Sequence, residues 1–197
     1  MSPAPVRCWL GEGVAVTGTD RVVASCALAL LAAASVHGRE WSIAWHGGTA
    51  ASAPSRLTIR QADSPDLRFT AHFETRSFES PVYYSVRLGV GNRRGHRWEL
   101  QLVHHKLHLR EPPAEVQSFS ITHGFNILSL SRAWERRGWA LRLGGGLVLA
   151  HPESAVRGRR LSEQAGLLGR GYYLTGPAIQ LGAGRRFPLL RGLFLSA

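Results

Sequence analysis

The sequence predicts an all-β fold: an antiparallel up-and-down transmembrane barrel, of which six complete strands and the start of a seventh can be counted. Three observations predict it. After residue 38, apolar residues alternate with polar or small ones, and helical periodicity is almost absent. The alternating stretches run to roughly 10–14 residues, longer than the strands of an ordinary sheet and long enough for a tilted strand to cross a bilayer. The links between them alternate in length, as the turns and loops of outer-membrane barrels do.

The chain of 197 residues divides into residues 1–38, a signal peptide with an N-terminal extension, and residues 39–197, the barrel. Residues 22–34 form an apolar run behind Arg21, and small residues lead to a cleavage point after Gly38. An apolar run of about 13 residues is too short to span a membrane as a helix. Export through the secretory pathway to a bacterial outer membrane follows. Cys8 and Cys26 both lie in the removed part, so the mature chain has no thiol for a disulfide or a cysteine zinc site.

The strands follow in order. Trp41, Ile43 and Trp45 open the first, and Val82, Tyr84, Val86, Leu88 and Val90 the second. Trp98, Leu100 and Leu102 mark the third, with Phe119, Ile121, Phe125 and Ile127 in the fourth. Trp139, Leu141, Leu143, Leu147 and Leu149 make the fifth, and Tyr173, Ile179 and Leu181 the sixth. Leu193 and Leu195 begin a seventh, which the sequence predicts to be incomplete. Residues 51–80 and 151–170 are the long links, and residues 56–60 and 67–73 alternate well enough to form a hairpin above the membrane. Trp41, Trp98, Trp134 and Trp139 fall near one set of strand ends and Tyr83, Tyr84, Tyr172 and Tyr173 near the other, as two aromatic girdles would. A soluble β-barrel or sandwich is the alternative, and it offers no reason for the alternating link lengths.

The net charge is +11, and Lys106 is the only lysine. Arg93, Arg94, Arg97, Arg132, Arg136, Arg137, Arg185, Arg186 and Arg191 cluster in the short turns against Glu135 alone. Anionic headgroups would match that charge. Scattering over turns behind an export signal speaks against a nucleic-acid partner.

The run Ser77-Phe78-Glu79-Ser80-Pro81-Val82-Tyr83-Tyr84, followed by Val86-Arg87-Leu88, resembles a motif of small bacterial outer-membrane barrels of the opacity-protein class. Thr122-His123-Gly124-Phe125-Asn126 and Thr175-Gly176-Pro177-Ala178 fit the same group, and the resemblance covers roughly residues 40–197. Some of its members are lipid A oxidases, which convert the proximal glucosamine of lipid A to an aminogluconate unit. The resemblance implies eight strands, both termini in the periplasm, a monomer in outer-membrane lipid, and lipid A as partner or substrate.

Within that frame, hairpin symmetry about residue 94 sets His104 opposite Tyr84, and symmetry about residue 113 sets His104 opposite His123. Tyr84, His104 and His123 are therefore predicted as one lipid-facing row and as the candidate catalytic residues. Polar groups at membrane depth are costly and mark function. Two imidazoles and a phenol can move protons, and His104 and His123 are the candidate ligands of a divalent metal cofactor. The plainer alternative is a set of ordinary interfacial side chains. Arg87, Glu99, Gln101, Asn126 and Arg142 are predicted to fill the lumen as a hydrogen-bonded network, with His105 also pointing inward. An eight-strand lumen is too narrow for a solute pore. The glycines at 144–146 lie inside a strand and form no phosphate loop, and no G-x-S-x-G elbow is present. The rival reading is a non-enzymatic surface barrel that displays its long loops.

Overall fold

The computed structural model describes residues 7–10, 33–36, 39–160, 166–167, 169–190 and 192–197. Its strands are β1 (Arg7–Leu10), β2 (Ala33–Val36), β3 (Arg39–Gly47), β4 (Ser55–Arg60), β5 (Leu67–Glu74), β6 (Tyr84–Gly91), β7 (His96–Arg110), β8 (Val116–Arg136), β9 (Trp139–Ala150), β10 (Glu153–Val156), β11 (Arg159–Arg160), β12 (Tyr173–Leu190) and β13 (Leu193–Ser196). The described residues contain no helix, so the all-β prediction holds. Most of the predicted signal segment lies outside the described residues; its Ala33–Val36 stretch pairs with β3.

The strands join in one antiparallel sheet with two regions. The lower region runs β2–β3–β6–β7–β8–β9–β12–β13. Its tight turns reverse at residues 92–95 and 137–138, and β12 pairs back onto β13 at Leu190↔Leu193. Gly95 and Gly138 both have φ of +81°, a left-handed conformation that glycine alone adopts without strain. The upper region begins where β7 and β8 outrun their lower neighbours. There β5 pairs with β7, and β10 pairs with β8. The predicted hairpin of the first long link is β4 and β5, which pair from Ser55↔Ala71 to Ile59↔Leu67. The second long link carries a hairpin the sequence pattern did not announce, β10 with β11.

Alternation fixes which side chains share a face. In the lower region the register aligns Trp45, Val86, Leu102, Leu128 and Leu147 in one cross-strand row. Ile43, Leu88, Leu100, Leu130, Gly145 and Ile179 form the next. Most of these large side chains stand exposed, with Leu130 53% accessible, while Val86 and Leu102 are half-buried; on the same face Leu141 is 62% and Leu181 79% accessible. The opposite, inner face is polar and covered, with Glu99 only 2% accessible. Gly144 and Gly146 lie on it because β8 crowds them. A Cβ at Gly144 would sit 2.4 Å from the Leu130 carbonyl oxygen, and one at Gly146 2.2 Å from that of Leu128.

The sheet curls until its two ends meet through side chains. Ala44 of β3 packs on Phe194 of β13, and His46 Nε2 lies 2.7 Å from Ser196 Oγ. No backbone ladder joins β2 to β13 among the described residues. The described strands thus form a curled antiparallel sheet that is not closed into a barrel.

In the upper region the burial order is the usual one. Leu57, Ile59, Ala71, Val116, Phe119 and Val156 form an apolar core. Below it, Leu107, Ile121, Phe125, Val148, Ala150 and Ala178 fill the inner face as an apolar plug.

Candidate functional site

Four of the five predicted lumen residues meet on the inner face. Arg142 Nε donates to Glu99 Oε2 at 2.6 Å, and Arg87 Nε lies 3.5 Å from the same oxygen. Arg87 also donates to Gln101 Oε1 at 3.3 Å, and Gln180 Nε2 donates to that oxygen at 2.6 Å. One carboxylate between two guanidiniums, with both amides engaged, is how buried charge is tolerated. The network borders a cavity of ≈ 90 Å³, lined in part by Ser42, His46, Glu99 and Arg142. That volume holds a few waters and no organic substrate.

Asn126 is not in this network, contrary to the prediction. It pairs with His104 on the outer face, and its Oδ1 lies 2.8 Å from His104 Nδ1. The physical reason is the apolar plug. At this height Phe125 and Ile127 turn inward onto Leu107 and Val148, so the polar member of the alternation faces out. His105 does point inward, edge-on to Phe125 at 5.0 Å, but into the plug rather than the polar network.

The predicted outer row is half present. Tyr84 and His104 are directly paired, with rings stacked 4.9 Å apart and 18° between their planes. Asn126 takes the third place that His123 was predicted to fill. The β7–β8 register shifts between His105 and Leu107, and Gly124 adopts φ +124°. This bulge inserts residues into β8 and carries His123 beyond the row. The trio Tyr84, His104 and Asn126 ends the exposed apolar rows at their upper edge. His104 is 7% accessible, and its Nε2 is covered without a hydrogen-bond partner.

His123 instead joins a second cluster that sequence reasoning missed. Its Nδ1 hydrogen-bonds the Glu153 carboxylate. Thr122 Oγ1 donates to the same oxygen at 2.7 Å. The His151 ring lies 5.1 Å from that of His123 and edge-on to Tyr172 at 4.9 Å. Tyr172 Oη donates to the His123 carbonyl at 3.2 Å. One ligand atom from each of His123, His151 and Glu153 lies within 4.8 Å of the other two. Partial burial pushes the Glu153 carboxyl up, but the hydrogen bonds from Thr122 and His123 and the nearby His charges outweigh it and hold it below its usual range. The cluster depends on β10 folding back onto β8, with Glu153↔Ser120. A signal was present in the His-x-Glu spacing of His151 and Glu153, which places both on one face of an extended segment.

No family model, curated protein or solved structure matches this chain.

Proposed function

We propose that this chain is an outer-membrane β-barrel protein whose upper rim meets lipid A, with Tyr84 and His104 as the groups that act on it. The reversed burial of the lower region carries the reading: large apolar side chains point away from the protein and charged ones point into it. In water such a surface is a liability, whereas in hydrocarbon it is the stable arrangement. From Trp134 to Asn126 the belt extends roughly 27 Å along β8, or about 21 Å with a tilt of about 40°, near the height of a barrel's apolar band. Trp41, Trp98, Trp134 and Trp139 line the turn end of the belt and are all exposed, as an aromatic girdle would be. Arg132 and Arg185 stack over Trp98 and Trp139 at 5.2 and 5.4 Å, which suits a headgroup boundary. Closure of the sheet between β3 and β13 is part of the proposal: removal of the signal segment takes β2 away, and bare strand edges in lipid cost several kcal/mol per group.

The Tyr84–His104 stack stands where the belt ends, the level of lipid headgroups in this reading. His104 is covered, so the half-buried Tyr84 is the member of this phenol–imidazole pair that a sugar headgroup can reach, with the stacked imidazole behind it. The second reading, a non-enzymatic surface barrel, is favoured by one observation: the upper region has an apolar core of its own and projects β4, β5, β10 and β11 beyond the belt. Mass spectra of lipid A from cells with and without the gene separate the two. A mass change on the proximal glucosamine, lost in His104→Ala, supports the enzyme; an unchanged lipid A with a folded, membrane-resident protein supports the display barrel.

A further inference from the structure

We propose that His123, His151 and Glu153 bind a divalent cation of the zinc class. Two imidazoles and one carboxylate are a recurrent donor set for such ions, which leaves positions open to water. Donor atoms about 2.0–2.2 Å from a common ion are separated by roughly 3–3.6 Å. The three donors, already within 4.8 Å of one another, reach that spacing by side-chain rotation. The backbone is already tied together there: the β8–β10 ladder places Glu153, and the His151 N–H donates to the Gly124 carbonyl beside His123 at 3.2 Å.

The surroundings supply what a metal site needs beyond its ligands. Thr122 holds the carboxylate oxygen at 2.7 Å, and Tyr172 anchors the His123 backbone and flanks the His151 ring. His151 Nδ1 is covered and has no hydrogen-bond partner, so this ring is held in place without a polar contact of its own. The hydrogen bond between His123 and Glu153 occupies the place of the ion, so it has to open before both groups can turn their lone pairs to a metal. His123 is open to solvent, with 68% of its side chain accessible, which gives the ion an entry path. The inference does not rest on the membrane reading, because the cluster lies in the upper region.

The test is a titration of the untagged full chain, folded in detergent micelles, with Zn²⁺ against a chromophoric chelator. The wild type should bind one equivalent with high affinity. His123→Ala and Glu153→Gln should each weaken it at least tenfold, while His72→Ala, at an exposed histidine outside the cluster, leaves it unchanged. Zn²⁺ should also protect His123 and His151, but not His72, from diethylpyrocarbonate. Circular dichroism of each variant checks the fold, and His123→Ala removes an exposed ring that packs no core. Equal affinity in all variants, or no saturable binding by the wild type, would overturn the proposal.

Discussion

The upper and lower regions share β7 and β8, yet they bury opposite chemistry. Above, Leu57 and Ile59 are sealed from solvent at 0% and 1% accessibility. Below, Glu99 is sealed at 2% while Leu141 and Leu181 stand open. One strand passes from one regime to the other: on β8, Phe119 and Ile121 lie in apolar cores, and Ser129 and Ser131 take the inner positions further down. Strand alternation says which residues share a face, but the medium on each side decides which face is apolar. The change of regime falls at Phe125, Val148 and Ala150, and both polar clusters lie at that level.

The largest effect that can test this contrast is at Glu99. Glu99→Ala leaves Arg87 and Arg142 buried without their carboxylate and should cost about 3–5 kcal/mol, read as a lower denaturant midpoint in micelles. A loss below about 1 kcal/mol would mean the inner face is wet and the network dispensable.

Leu57→Ala probes the other regime. It removes a fully buried side chain from the upper core and should cost about 2–5 kcal/mol. Hydrogen exchange should localise the loosening to β4, β5 and β10 while amides of β9 and β12 stay protected. Equal loosening throughout would show that the two regions are one cooperative unit.

A smaller effect separates the media directly. Leu130→Arg on the outer face should cost about 2–4 kcal/mol in lipid bilayers, because a guanidinium then enters hydrocarbon. In aqueous solution the same exposed substitution would be nearly neutral, and a neutral result in bilayers would remove the membrane reading.

The smallest effect concerns Glu153. Its folded carboxyl is held below the ordinary glutamate value of about 4.5. Its contribution is therefore complete above about pH 4.5 and is lost as pH falls through the lower folded value. Glu153→Gln should flatten that part of the acid-unfolding curve and leave stability near neutrality almost unchanged; an identical acid limb would show that Thr122 and His123 do not stabilise the carboxylate.

Much of the lower region was legible because its alternation is unbroken and its turns are short. Hairpin symmetry about residue 94 placed Tyr84 opposite His104, and Arg87, Glu99, Gln101 and Arg142 fell on the inner face as their phase required. The reading broke at two physical events. The bulge at Gly124 displaced His123, and no local pattern announces a bulge beyond a glycine in a strand. The apolar plug inverted the relation between polarity and face, so Asn126 was assigned inward. The His-x-Glu spacing of His151 and Glu153 is legible in the sequence, but their meeting with His123 is not, because it depends on β10 folding back onto β8, a pairing between residues about thirty positions apart.

The central claim is that the exposed apolar belt faces lipid, and tryptophan quenching tests it most directly. Trp41, Trp45, Trp98, Trp134 and Trp139 are between 43% and 57% accessible on the belt. In vesicles of brominated phospholipid their fluorescence should be strongly quenched, while aqueous iodide quenches little. Strong iodide quenching with no response to brominated lipid would contradict the account and return the belt to water.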